Sequence, residues 1–192
     1  MKSTSVAILA SVHASFCFAA ASCINGTCTA PHRDWSVSVS GVAVIASTVS
    51  SGGGMLSHVC EAGTQELCRW GLVLPDADCK DGSRVALSLL SNAKSTTVSA
   101  RCSLLPLIAG MPGAGRSFLL DGDGKAASSA IWGNDVTVRT RNKSGDFIEH
   151  RFSRMGSNTA MVDTYLTLDN INAASTNGDS PKRHTPSPPP CF

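Results

Sequence analysis

The sequence predicts an all-β protein, an antiparallel sandwich or barrel stapled by disulfides. Short runs of apolar and β-branched residues recur at intervals of about ten residues, and turns rich in Gly, Asp and Asn separate them. The chain has 192 residues and eight Cys, a density that favours disulfide bonds in an exported domain. Strand-like segments do not alternate regularly with helix-like ones, so a parallel α/β fold is not indicated.

Residues 1–22 have the three parts of a secretory signal peptide. Lys2 precedes a mainly apolar run from Val6 to Phe18, interrupted by His13, and small residues follow from Ala19 to Ser22. The run is shorter than the ~20 apolar residues that a membrane-spanning helix requires. We therefore predict cleavage between Ala19 and Ser22 and export to the periplasm or the extracellular space. A buried amphipathic N-terminal helix is the alternative.

Cys23 is also a candidate for lipid attachment. The small residues at positions 20–22 precede it, as they precede the acylated Cys of bacterial lipoproteins, although a larger aliphatic residue is expected at Ala20. Acylation would anchor the domain to a membrane. Without it, we expect no membrane contact.

The remaining cysteines predict disulfides and one free thiol. Cys17 leaves with the signal peptide, so seven of the eight Cys remain, an odd number in an oxidising compartment. Closeness in sequence favours three pairs and leaves one residue over: Cys23–Cys28, Cys60–Cys68 and Cys79–Cys102, with Cys191 free. If Cys23 is acylated, Cys28 needs another partner, such as Cys191.

Metal and cofactor signals are weak. The chain has no C-x-x-C knuckle of the kind that binds zinc, and His58-Val59-Cys60 is the one tight His/Cys pair. The DGDGK stretch at 121–125 opens like a calcium loop, but Lys125 and Ala126 stand at the next ligand and glycine positions. We predict neither a metal nor a cofactor.

The predicted domain spans residues 23–172, and its first clear strand begins at Trp35. Trp35, Val37 and Val39 alternate with Ser, which is the period of a strand with one buried face. Gly41 interrupts this run as a bulge would, and apolar residues continue it. Further strand-like runs follow, separated by turn residues: 56–60, 67–74, 84–90, 96–105, 116–120, 126–132, 135–140 and 146–153.

The chain is predicted to end in a short helix and a disordered tail. Met161, Tyr165 and Leu168 have near-helical spacing, which indicates a helix over 157–171, although alternation from Val162 to Leu168 leaves a strand as the alternative. Residues 173–192 are rich in Pro and Ser and nearly devoid of apolar residues. They cannot bury enough surface to offset their ordering entropy, so we predict disorder.

Residues 110–117, GMPGAGRS, differ by one residue from the phosphate-binding pattern G-x-x-x-x-G-K-[ST]. Arg116 stands where Lys is required, and Gly122 and Gly124 would end the helix that must start at Ser117. We therefore predict a loop between two strands and keep nucleotide binding through 110–117 as a remote alternative.

Candidate catalytic residues do not form a recognisable set. A G-x-S-x-G nucleophile motif is missing. His58 and His150 are the possible general bases, with Glu61 or Glu149 to orient them. A secreted hydrolase using His58 or His150 is the alternative to a non-enzymatic protein.

Four arginines are the candidate residues for binding an anion or a partner: Arg139, Arg141, Arg151 and Arg154. Arg139 and Arg141 should share one strand face, opposite Val136 and Val138. Cross-strand pairing on a solvated hairpin is the structural alternative. The chain has 16 Lys and Arg against 14 Asp and Glu, a balance that gives no general attraction to nucleic acid.

From these observations we predict an exported, non-enzymatic binding or interaction protein of the cell envelope or secreted space. An inhibitor, an immunity-type protein or a surface component would each fit, with a protein or an envelope component as the partner. The sequence leaves the oligomeric state open.

Overall fold

The computed structural model describes residues 22–24, 27–63, 67–91, 94–104, 116–121 and 135–176. They form an antiparallel sheet of eleven strands and one C-terminal helix. The strands are β1 (Ser22–Ile24), β2 (Thr27–His32), β3 (Trp35–Ser40), β4 (Ala43–Val49), β5 (Met55–Glu61), β6 (Leu67–Leu74), β7 (Arg84–Ser91), β8 (Lys94–Ser103), β9 (Arg116–Leu120), β10 (Val136–Arg141) and β11 (Phe147–Phe152), and the helix is α1 (Ser157–Thr176). The predicted all-β antiparallel class with a short C-terminal helix is confirmed.

Strands β1 to β6 form a meander, in which neighbours in sequence are neighbours in the sheet. Beyond β6 the order in the sheet is β9, β8, β7, β10 and β11, so β7 to β9 appear in reverse sequence order. The sheet curls until the segment after β11 meets the start of β3. There the Asp34 amide donates to the Met155 carbonyl at 3.2 Å, and Trp35 Nε1 donates to the Ser153 carbonyl at 2.8 Å.

The concave face of this curled sheet holds the core. Trp35 and Val37 are buried and Val39 packs against the same cluster, so the predicted alternation along β3 is confirmed. The register continues this face across the sheet, because Val37 lies opposite Ala46 and Leu72 lies opposite Phe118. The largest fully buried side chains include Trp35, Phe118, Phe152, Leu56, Leu72, Leu74, Leu87 and Leu89.

The predicted bulge at Gly41 is wrong. Ser40 pairs directly with Ala43, so Gly41 and Val42 form the two-residue turn of the β3–β4 hairpin. Gly41 has φ +60°, and a glycine with positive φ at the first central position is typical of a type II′ turn. Glycine is common both in β-bulges and in hairpin turns, so the sequence pattern alone does not distinguish between them.

Helix α1 begins at the predicted residue and ends later than expected. It continues past residue 171 to Thr176, so residues 173–176 are helical in the structure. The helix lies against β2, β3, β4 and β5 and buries Ala160, Met161 and Leu168. No described helix combines the length and apolar character needed to cross a membrane.

Several predictions concern residues beyond the described ones. The signal peptide up to residue 21, the strand-like run 126–132, and the tail from residue 177 onward, with Cys191, all lie outside them.

Candidate functional site

Two of the three predicted cysteine pairs are disulfide bonds. Cys60 and Cys68 lie opposite each other on β5 and β6 with Cα atoms 4.1 Å apart, and Cys79 is bonded to Cys102 across 6.2 Å. The backbone register also sets Cys23 opposite Cys28 on β1 and β2. Disulfide bonds of this kind indicate an oxidising, non-cytoplasmic location.

One of these disulfides accounts for the group of potential metal ligands around His58. The donor atoms of His58, Cys60 and Cys68 lie within 4.8 Å of one another, and His58 Nδ1 is 3.8 Å from Cys60 Sγ. Zinc requires thiolates, whereas both sulfurs here are bonded to each other. The closeness of the three residues follows from strand pairing and the disulfide.

His58 is a core residue packed among aromatic rings. Its ring centroid lies 4.7 Å from that of Trp70 and 5.9 Å from that of Tyr165, and the side chain is only 5% exposed. Burial lowers its pKa from 6.5 to about 4. Glu61, its predicted orienting partner, is exposed at the end of β5. This arrangement leaves His58 neutral and out of reach of a substrate.

His150 contacts a serine that the sequence did not single out. Its Nδ1 lies 3.4 Å from Ser50 Oγ, which accepts a hydrogen bond from the Gly54 amide at 3.0 Å. A Cβ at Gly54 would stand 2.7 Å from that Nδ1, so only glycine allows the close approach. The contact joins residues 100 apart in sequence, and no local pattern could have indicated it.

The Ser50–His150 pair is poorly placed for catalysis. Both side chains are buried, at 6% and 4% exposure. The other ring nitrogen, Nε2, is buried with no hydrogen-bond partner among the described residues, so no described carboxylate orients the ring through it. Burial lowers the pKa of His150, and the charge of Asp76 opposes this shift. Glu149, the predicted orienting residue, lies on the opposite face of β11.

The β10–β11 hairpin carries three of the four candidate arginines on one side of the sheet. Its outer hairpin face consists of Thr137, Arg139 and Arg141 on β10 and Phe147, Glu149 and Arg151 on β11, which face one another in register. Val136 and Val138 point the other way and are fully buried. The strand period placed these residues as predicted.

Two of these arginines form ion pairs within the chain. Arg139 Nε donates to Glu149 Oε1 at 2.7 Å. Arg151 donates to Asp135 Oδ2 through Nε at 2.9 Å and Nη2 at 2.6 Å. Arg154 lies apart from this face, near the start of α1, where its Nη2 is 3.4 Å from Ser157 Oγ and burial lowers its pKa. The four arginines therefore do not converge on one anion site.

Arg141 instead forms an exposed stack with an aromatic ring. Its guanidinium carbon lies 4.2 Å from the centroid of Phe147, and that of Arg139 lies 5.8 Å from the same centroid. Phe147 is 62% exposed. A large aromatic ring on the surface, held by cations, is a common anchor in protein interfaces.

A shallow groove adjoins the outer hairpin face. It has a volume of about 530 Å³, and its lining includes Arg33, Asp34, Ser47, Asp135 and Arg151. Arg33 has φ +59°, the only positive φ of a non-glycine residue in the described part of the chain. The groove lies at the Arg151 end of β11, and the Phe147–Arg141 stack lies at the turn end of the same hairpin.

The phosphate-loop candidate lies elsewhere and has a different geometry. Residues 110–115 are outside the described part, but Arg116 and Ser117 begin strand β9, which runs antiparallel to β6 and β8. A phosphate loop requires a helix to begin at this point. Ser117 is also buried, at 2% exposure.

Comparisons with known proteins give no further guide to the site. No family model matches the chain, and neither the curated proteins nor the solved structures contain a significant match.

Proposed function

We propose that this chain is an exported, non-enzymatic interaction protein that binds a protein partner through its outer hairpin face. The observation that carries the proposal is the exposed Phe147 ring beside the Arg141 guanidinium. Aromatic residues and arginine are enriched where protein interfaces have their strongest contacts. The burial of His58 and His150 supports a binding role over hydrolysis.

The charge of the face indicates what kind of partner would fit. Of the three arginines on this face, Arg139 pairs with Glu149 and Arg151 pairs with Asp135. Arg141 donates to the Gly145 carbonyl rather than to a carboxylate, so its charge is available to a partner. A complementary surface would present an acidic group near Arg141 and an apolar pocket for Phe147.

Partner capture with matched variants tests this proposal. The mature domain is immobilised and exposed to envelope extract of the native host, and bound proteins are quantified by mass spectrometry. We expect one stoichiometric partner for the wild type and at least about tenfold weaker capture by Phe147→Ala and Arg141→Ala. Val42→Ser is the control, because Val42 is 57% exposed on the distant β3–β4 turn. Capture that is insensitive to both hairpin variants would refute this surface.

The hydrolase alternative now has a defined pair of residues. Ser50 and His150 are in contact, so among the described residues they are the pair that a serine hydrolase would use. A fluorophosphonate probe labels activated serines. Labelling that disappears in Ser50→Ala would favour hydrolysis, whereas we expect the wild type to remain unlabelled because both side chains are buried.

A further inference from the structure

Strand β11 ends the sheet, and its hydrogen-bonding phase can be read from the hairpin turn. The Asn142 amide donates to the Asp146 carbonyl at 3.0 Å, and this pair continues the β10–β11 register beyond Arg141 and Phe147. In an antiparallel ladder, every second opposite pair exchanges backbone hydrogen bonds. Residues 148, 150 and 152 therefore direct their backbone groups toward β10.

The alternate residues of β11 direct their backbone groups to the free edge. These are Phe147, Glu149 and Arg151, and their side chains are exposed on the outer hairpin face. The same phase explains why the next odd-numbered carbonyl, that of Ser153, accepts a hydrogen bond from Trp35. Among the described strands, β11 pairs only with β10. An edge of this kind is a template for another strand.

We propose that two copies of this chain associate through the free edges of their β11 strands, antiparallel about a two-fold axis at His150. In a two-fold interface, if one residue contacts a second, the second contacts the first in return. Glu149 of each copy then lies opposite Arg151 of the other. These two residues supply four backbone hydrogen bonds and two pairs of opposite charge.

Charge selects this register over its neighbours. A shift by one step places Glu149 opposite Glu149, and a shift the other way places Arg151 opposite Arg151, both of which oppose like charges. A further shift pairs Phe147 with Glu149 and leaves Arg151 opposite Gly145. Only the register centred on His150 pairs each carboxylate with a guanidinium. The strand is thus complementary to itself.

The groove gives the second copy room. Pairing about His150 sets Phe147 of the second copy opposite Ser153, whose carbonyl already accepts a hydrogen bond from Trp35 Nε1. The backbone ladder between the copies is therefore limited to Glu149 and Arg151, and Arg151 and Ser153 both line the groove of about 530 Å³. The exposed Phe147 ring of each copy would lie beside the groove of the other. The two outer hairpin faces would then form one surface across the two-fold axis, so a partner could engage both copies.

Charge reversal tests the interface through the oligomeric state of the mature, oxidised chain. Sedimentation velocity over an approximately hundredfold dilution range should show a dimer that dissociates on dilution. Glu149→Arg and Arg151→Glu should each weaken the dimer at least about tenfold, because each creates like-charge pairs. The double variant Glu149→Arg/Arg151→Glu should restore it, while Lys94→Glu on β8 should change nothing. A wild type that is monomeric throughout, or a folded double variant that fails to dimerise, would overturn the proposal.

The charge-reversal variants also lose ion pairs within the chain, because Arg139 pairs with Glu149 and Asp135 pairs with Arg151. Cysteine cross-linking tests the same register without placing a reversed charge in the chain. In a Cys191→Ser background, which removes the predicted free thiol, a mixture of Glu149→Cys and Arg151→Cys proteins should form a cross-linked dimer under mild oxidation, and neither variant alone should do so. Cross-linking within an unmixed variant, or none in the mixture, contradicts the register. The result is independent of partner capture, because Phe147 and Arg141 are unchanged.

Discussion

At the scale of single residues, the joint between β11 and α1 depends on one glycine. Gly156 has φ +93°, and a Cβ at this position would overlap the carbonyl oxygen of His32. The same joint carries the Asp34–Met155 backbone hydrogen bond and a contact of 2.9 Å between His32 Nε2 and Asp163 Oδ2. The close packing of Gly156 against the His32 backbone therefore fixes the position at which α1 begins.

Gly156→Ala is expected to lower the free energy of unfolding by about 3 kcal/mol, because both the left-handed backbone and the backbone overlap oppose it. Gly145→Ala is the matched control. Gly145 has φ +85° but open space around it, so it should lose only about 1 kcal/mol. Chemical denaturation measures both free energies of unfolding. Equal losses for the two variants would contradict the prediction, because the overlap with the His32 carbonyl would then cost no stability.

His58 predicts a dependence of stability on pH. Its folded-state pKa of about 4 lies below the usual 6.5, so the unfolded chain binds more protons between these values. The free energy of unfolding should therefore fall by up to about 3 kcal/mol as the pH drops from 6.5 to 4. His58→Phe keeps an aromatic ring beside Trp70 and should remove this contribution. If the free energy of unfolding of His58→Phe depends on pH as strongly as that of the wild type, His58 is not the group responsible.

At the scale of elements, α1 is held by one apolar face. Leu168 is 1% exposed, whereas Leu166, two residues earlier, is 58% exposed. Leu168→Ala should lower the free energy of unfolding by about 3 kcal/mol through lost burial and a cavity. Leu166→Ala should change it by less than about 0.5 kcal/mol. Similar losses for the two variants would mean that the helix packs differently.

The sequence predicted those elements whose side chains alternate clearly. Strand β3 was found because Trp35 and Val37 alternate with serines, and the outer hairpin face because Arg139 and Arg141 have the strand period. Strand β2 was missed, since Thr27–His32 includes Pro31 and lacks apolar alternation. The end of α1 was placed too early because Ala173 and Ala174 offer no amphipathic signal.

The site was less predictable than the fold, for a physical reason. Local spacing decides which strand face a residue occupies, but it does not decide which distant residue lies beside it. The contacts of His150 with Ser50 and of Trp35 with Ser153 exist only because the sheet curls. Cross-strand pairing of the arginines was the alternative that the sequence indicated, but the particular partners, Glu149 for Arg139 and Asp135 for Arg151, needed the hairpin register.

At the scale of the whole molecule, disulfides tie together segments of the curled sheet. The Cys79–Cys102 bond closes a separation of 23 residues, and Cys79→Ala/Cys102→Ala should lower the free energy of unfolding by about 3 kcal/mol. Cys191→Ser, at the predicted free thiol, is the control and should leave stability unchanged. Both variants are measured by denaturation without reductant. A lower free energy of unfolding for Cys191→Ser would show that Cys191 forms a disulfide bond.

The proposed function depends most on export of the chain to an oxidising compartment, and intact mass measures this directly. The protein is purified from its native host, alkylated before or after reduction, and weighed. We predict loss of about the first 21 residues, and alkylation of Cys60, Cys68, Cys79 and Cys102 only after reduction. A full-length mass with these four thiols free would contradict export and oxidation, and with them the proposed function.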